Sequence, residues 1–139
     1  MFNRSRRITA ALAVASAAAA ALAIGPAAAN AATSMSPATG GQKSTFTLKT
    51  DAAPLKQAEA NGGFADLKLT APRGASSNCS VHNIPSYGKH GSKLVYRLSP
   101  DTLYSHKWCK GIWKVAVVID VNGDGSEIRT VGRTQFKVR

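Results

Sequence analysis

The sequence predicts an all-β sandwich of about seven short strands, stapled by one disulfide. Two observations carry the fold class. From Ser44 onward apolar residues alternate with polar ones at a period of two rather than 3.6, and the alternating runs are short and punctuated by Gly, Pro, Asn and Ser. A third observation supplies the staple. Cys79 and Cys109 are the two cysteines of the chain, and an export signal ahead of them places them in an oxidising compartment, where such a pair is expected to bond.

That signal is read over residues 1–29. Arg4, Arg6 and Arg7 make a positive start, Ile8 to Ile24 is almost wholly Ala, Leu, Val and Ile, and Gly25-Pro26 ends the run ahead of the small residues Ala27 to Ala29. An apolar run of about 17 residues is at the lower limit for a membrane span, and the cleavage-type residues directly behind it favour removal over anchorage. Ser5-Arg6-Arg7 has the start of a twin-arginine signal, but Thr9 and Ala10 stand where such signals carry bulky apolar residues, so ordinary secretory export is the expectation. No later stretch reaches transmembrane length. The mature chain is therefore expected outside the cell, without a membrane span and at or near the cell wall.

Residues 30–43, NAATSMSPATGGQK, are small, polar and glycine-bearing and read as a flexible tether. The domain is expected over 44–139. Ser44 to Thr50 turns Phe46 and Leu48 inward, and Asp51 to Ala60 leaves room for a turn or two of helix, limited by Pro54. Phe64 to Thr70 sets Leu67 and Leu69 against Asp66, Lys68 and Thr70. Ser77 to Ile84 reads as a strand with Cys79 and Val81 on one face, and Lys93 to Leu98 as one with Leu94, Tyr96 and Leu98 opposite Lys93, Val95 and Arg97. Pro100 to Leu103 fits a single helical turn at a corner. Ile112 to Val121 is the strongest run, with Trp113, Val115, Val117, Ile119 and Val121 on one face, and Arg133 to Val138 closes the chain with Thr134, Phe136 and Val138 inward.

The run Gly111-Ile112-Trp113-Lys114-Val115-Ala116-Val117 follows a Pro-x-x-Leu corner at Pro100 to Leu103. It precedes the turn Asp120 to Gly125 and a closing strand, Gly132 to Val138. This pattern resembles the small secreted immunoglobulin-like domain proteins of high-GC Gram-positive bacteria, most of which have no assigned activity. The resemblance covers about residues 94 to 138 and implies an immunoglobulin-like sandwich. It departs from antibody-type domains, since Lys107 rather than Tyr stands two residues before Cys109 and no Trp stands near Cys79 in the expected place. It therefore implies a fold and no binding site.

Catalytic and metal-binding patterns are weak. Asp120-x-Asn122-x-Asp124-Gly125 matches the first half of a calcium loop, but Val131 stands where the bidentate Glu belongs and both flanks read as strands, so a hairpin turn is the expectation. His82, His90 and His106 lie in separate loops or strand ends without metal-ligand spacing. Ser86-Tyr87-Gly88-Lys89 is formally Ser-x-x-Lys, yet Pro85 and Gly88 argue for a turn rather than the helix that chemistry needs. The seven acids show no paired-carboxylate spacing. No enzyme, no cofactor and no metal are expected.

Charge is the feature unusual in amount. The chain carries 18 Lys and Arg against 7 Asp and Glu; without the three arginines of the signal, 15 basic residues face 7 acidic ones, a net +8. Lys89, His90 and Lys93 lie in one long loop region, and His106, Lys107, Trp108 and Lys110 flank Cys109. A Cys79–Cys109 bond is expected to draw these groups into one basic, aromatic patch able to hold an anionic cell-wall polymer. Nucleic acid obeys the same electrostatics and is the lesser candidate. The bland account is that the charge keeps a small domain soluble and that Trp108 caps the core beside the disulfide. The leading expectation is a non-enzymatic secreted module associated with anionic envelope polymers. The alternative is a protein-interaction module, such as an enzyme inhibitor or adhesion-type domain offering Asn83 to Ser92 to an extracellular protein.

Overall fold

The computed structural model describes residues 32–139. The signal read over 1–29 and the first two tether residues lie outside the described residues. Among the described residues the strands are β1 (Ser34–Ser36), β2 (Thr39–Gly40), β3 (Phe46–Asp51), β4 (Phe64–Thr70), β5 (Gly88–His90), β6 (Lys93–Leu98), β7 (Gly111–Asp120) and β8 (Ile128–Val138). One helix, α1 (Ala53–Glu59), joins β3 to β4, and 3-10 turns occupy Ser77–Cys79 and Pro100–Thr102.

The strands form two four-stranded sheets, ordered β1-β3-β6-β5 and β2-β8-β7-β4. All pairs are antiparallel except β2 with β8. The order is that of an immunoglobulin-like sandwich. One sheet takes the first, second, fifth and fourth strands of that fold, and the other takes the third, sixth and seventh. β1 and β2 are the two halves of a first strand that changes sheets.

Period-two patterning decides the packing. Phe46, Leu48, Leu94, Tyr96 and Leu98 of one sheet and Leu67, Trp113, Val115, Val117, Ile119, Phe136 and Val138 of the other are all buried. Full burial of each such side chain contributes about 1.5–3 kcal/mol. At one end the core is aromatic: Trp113 stacks on Phe136 with rings 6.1 Å apart and 3° from parallel, and Phe46 lies 4.1 Å from Phe136. The helix expected after Asp51 is present, with Pro54 tolerated in its first turn and Leu55 and Ala58 turned into the core.

Three expectations need correction. Residues 34–40 are not tether: β1 pairs with β3, β2 with β8, and Met35 packs on the core. Strands this short carry no visible alternation, so their small polar residues read as linker. Gly40, which looked like linker glycine, is a close approach, since a Cβ there would sit 2.9 Å from the Phe46 ring. Second, Ser77 to Ile84 is not a strand. Cys79 and Val81 turn inward, but through the disulfide and one isolated bridge, Val81 to Leu103, in place of a ladder. Third, the closing strand begins at Ile128, five residues earlier than expected, and a bulge between Val117 and Val118 absorbs the change of register.

The Asp120 to Gly125 segment joins β7 to β8 as a hairpin. Asp120 accepts the backbone N–H of Gly123 at 2.9 Å and of Gly125 at 2.8 Å, so this carboxylate is committed to holding the turn. Gly123 sits at φ +75, and a Cβ there would lie 2.3 Å from the Gly62 carbonyl oxygen.

Candidate functional site

Cys79 and Cys109 are bonded, tying the segment after β4 to the start of β7. The expected patch around them does not assemble. In the β3–β6 register Phe46 lies across from Leu98 and Asp51 across from Lys93, so the two ends of this pair are five residues apart. That is roughly 17 Å at the rise of a strand. Lys89, His90 and Lys93 sit at the Asp51 end, through the β5–β6 pairing of His90 with Lys93. His106, Lys107 and Trp108 sit at the Phe46 end, where Trp108 N–H donates to Gln42 O at 2.9 Å and Lys43 Nζ to His106 O at 3.1 Å. Lys110 immediately precedes β7, whose first residue pairs with Val138. The disulfide draws in the 77–81 segment and leaves β5 at the far end.

Several of these groups are also already paired. Lys89 Nζ lies 2.5 Å from Glu59 Oε1, Lys93 bonds the Asp51 carboxylate, and His106 Nδ1 lies 3.2 Å from Asp101 Oδ1. Lys107 and Lys110 are exposed and have no ion-pair partner among the described residues. Trp108 is not a surface aromatic at all. It is 0% exposed, lies edge-on to Phe46, Trp113 and Phe136 at 5.8, 5.2 and 5.1 Å, and donates its indole N–H to Ser44 O at 2.9 Å. The loop folds back so that its largest apolar group fills the end of the sandwich while Lys107 and Lys110 remain in solvent.

The ion pairs have a consequence in acid. The Lys93 hydrogen bond, helped by the Ala32 N–H, holds the Asp51 carboxyl below its usual 3.8, and hydrogen bonds from Ser126 do the same for Asp124. A carboxyl lowered in the folded state adds stability above its unfolded value and loses it as pH falls through the folded one. The melting temperature is therefore expected to hold down to about pH 4 and to fall below it, with a shallower fall in Asp51→Asn. Parallel acid profiles for the two proteins would show that the Asp51–Lys93 pair contributes nothing.

A different set of cations comes together on the outer face of the β2-β8-β7-β4 sheet. Lys68, Ala116 and Arg133 form one cross-strand row, Thr70, Lys114 and Gln135 the next, and Ile112 faces Lys137 beyond them. Neighbouring strands are about 4.8 Å apart, so Lys68, Lys114 and Arg133 crowd together on this face, and Lys137 lies farther along it. None of the four has an ion-pair partner among the described residues. Small Ala116 between Lys68 and Arg133 leaves a shallow groove of about 500 Å³. The outer face of the other sheet is thinner in free charge: Lys49 and Arg97 point outward there, and Lys93 is neutralised by Asp51.

A second groove, of about 430 Å³, runs along the free edge of β4, lined by Phe64, Asp66, Ser86 and Tyr87, with Tyr96 of β6 on its inner side. The Tyr96 side chain is 1% exposed, and its hydroxyl is buried with no hydrogen-bond partner among the described residues. An unpaired buried hydroxyl costs about 1–3 kcal/mol. Desolvation, followed by the charges of Asp66 and Tyr87, pushes the phenol far above its usual 10.0 and keeps it neutral.

No protein-family model matches this chain, and no curated protein matches it at a significant level.

Proposed function

We propose that this chain is a non-enzymatic, secreted basic module that associates with anionic polymers of the cell envelope through Lys68, Lys114, Arg133 and Lys137. The observation that carries this reading is the convergence of three cations, Lys68, Lys114 and Arg133, around a groove on one sheet face, with Lys137 farther along the same face and no ion-pair partner for any of them among the described residues. Cations left unpaired within a Debye length of about 8 Å reinforce one another's field and attract a polyanion more strongly than scattered charge does. The chain's net positive charge works in the same direction at longer range. Export rests on the residue pattern of positions 1–29, and the disulfide fits an oxidising location.

Co-sedimentation of the oxidised protein with purified cell walls, with and without teichoic acid, tests the reading across a salt series. Retention should require the teichoic acid. With four phosphate contacts, affinity should fall by roughly three decades for each decade of salt. Absence of retention at low salt would refute the proposal. Stoichiometric capture of a single extracellular protein, insensitive to salt, would favour the protein-interaction alternative.

A further inference from the structure

The groove along the β4 edge adjoins the cationic face, since Asp66 and Lys68 both point outward from β4, but it contains none of the cations and calls for different chemistry. Its polar residues are Asp66 and Ser86, with Tyr96, whose hydroxyl is buried without a partner among the described residues, on its inner side; Phe64, Pro85 and Tyr87 add apolar surface. Among the described residues the Asp66 side chain accepts one hydrogen bond, from the N–H of its neighbour Leu67 at 2.8 Å. Phe64 is 46% exposed, and Tyr87 stands edge-on to Tyr96 with ring centroids 5.7 Å apart.

These features constrain an occupant. A carboxylate only accepts hydrogen bonds, so the ligand must donate to Asp66; a hydroxyl both donates and accepts, so the ligand must offer a polar atom to Tyr96. An anion is repelled locally by Asp66, and a cation is repelled by Lys68, two residues along the same outer face of β4, and at longer range by the chain's excess of 18 basic over 7 acidic residues. A neutral ligand remains, with hydroxyls around its rim and an apolar face to set against Phe64 and Tyr87. We infer that this groove binds a neutral pyranose sugar, with Asp66 and Ser86 engaging ring hydroxyls and Tyr96 taking up a further one once Tyr87 turns aside. None of the residues inferred to engage the sugar carries the polyanion proposal.

The test is an amide chemical-shift titration of the oxidised protein with methyl glucoside, methyl galactoside, methyl mannoside and N-acetylglucosamine. Cyclohexylamine and cyclohexanecarboxylate serve as a cation and an anion of similar size. At least one sugar should give saturable shifts confined to residues 64–66, 84–87 and 96, unaffected by salt, with neither charged probe doing so. Tyr96→Phe should weaken that sugar about tenfold and leave the melting temperature unchanged or higher, because it removes a hydroxyl that has no partner among the described residues. Asp66→Asn should weaken it as well, again without loss of stability. The inference is overturned if no sugar gives saturable shifts there, if cyclohexylamine is the better ligand, or if Tyr96→Phe leaves sugar affinity unchanged. A fall in melting temperature for Tyr96→Phe would overturn it too, since the hydroxyl would then have a structural partner. Failure here leaves the polyanion reading untouched, since that reading predicts steep salt dependence and no response to neutral sugars.

Discussion

Trp108→Ala is expected to unfold this domain, or to leave it melting far below the parent. The side chain is 0% exposed and is surrounded edge-on by Phe46, Trp113 and Phe136. Truncation removes most of a large buried ring system and opens a cavity that three other aromatic rings cannot fill without leaving their own contacts. It also removes the indole N–H that donates to Ser44 O. Loss of about 3–5 kcal/mol is typical of such a change. That is a large part of the roughly 5–15 kcal/mol that holds a domain of this size. Trp113→Ala, which takes away the ring stacked on Phe136 at 6.1 Å, should cost a similar amount. Urea unfolding followed by near-ultraviolet circular dichroism checks both. A Trp108→Ala protein that keeps its stability but loses polymer binding would return Trp108 to the surface and to a binding role.

Removing the disulfide is the second large effect. Cys79 and Cys109 are 30 residues apart in the chain, and closing a loop of that length stabilises by about 3–4 kcal/mol on the chain-entropy account. The native state loses something specific besides. The segment carrying Cys79 has no strand ladder of its own and reaches the body through the disulfide, the Val81–Leu103 bridge and a few loop hydrogen bonds to residues 102–105. The Cys79→Ser/Cys109→Ser protein should melt on the order of 15–20 °C lower than the oxidised parent. Amide exchange should rise first over residues 77–87, ahead of β7 and β8. Uniform loss of protection across both sheets would show that the bond acts on the unfolded chain alone.

The parts of this architecture that were legible in the sequence are those where burial imposes a period of two. Leu67 against Lys68, Leu94 to Leu98, and Trp113 to Ile119 each declare an inner and an outer face, and the sheets use them so. β1 and β2 were not legible: three-residue and two-residue strands made of Ser, Met, Thr and Gly are held by pairing with β3 and β8 and show no face of their own. β5 is equally short, and its pairing with β6 gives it its place. The loop before β7 defeats patterning in another way. A loop has no periodicity to say which side chain turns in, so the sequence left Trp108, beside Lys107 and Cys109, open between a surface patch and a cap on the core, and the structure shows the cap.

The candidate site failed for a related reason. A disulfide was expected to bring two basic loops together, but nearness to a cysteine in sequence does not fix which end of a strand a loop occupies. The cations that do converge, Lys68, Lys114 and Arg133, come from the β7–β8 hairpin and from β4, a strand distant from it in the chain. Taken strand by strand they are ordinary solvent-facing positions. They become neighbours only through the order β8-β7-β4, which alternation leaves open.

Position on the sheet face, and not total charge, is expected to govern binding to the polyanion. This is tested most directly by comparing two double variants of equal charge change, Lys114→Glu/Arg133→Glu on the sheet face and Lys107→Glu/Lys110→Glu beside the disulfide. Each is measured for retention on teichoic-acid-bearing walls over the same salt series. The sheet-face variant should lose retention even at low salt, while the loop variant should keep most of its affinity and a salt slope near that of the parent. Equal loss in both would contradict it by making net charge sufficient, and selective loss in the loop variant would place the site at the disulfide end of the sandwich.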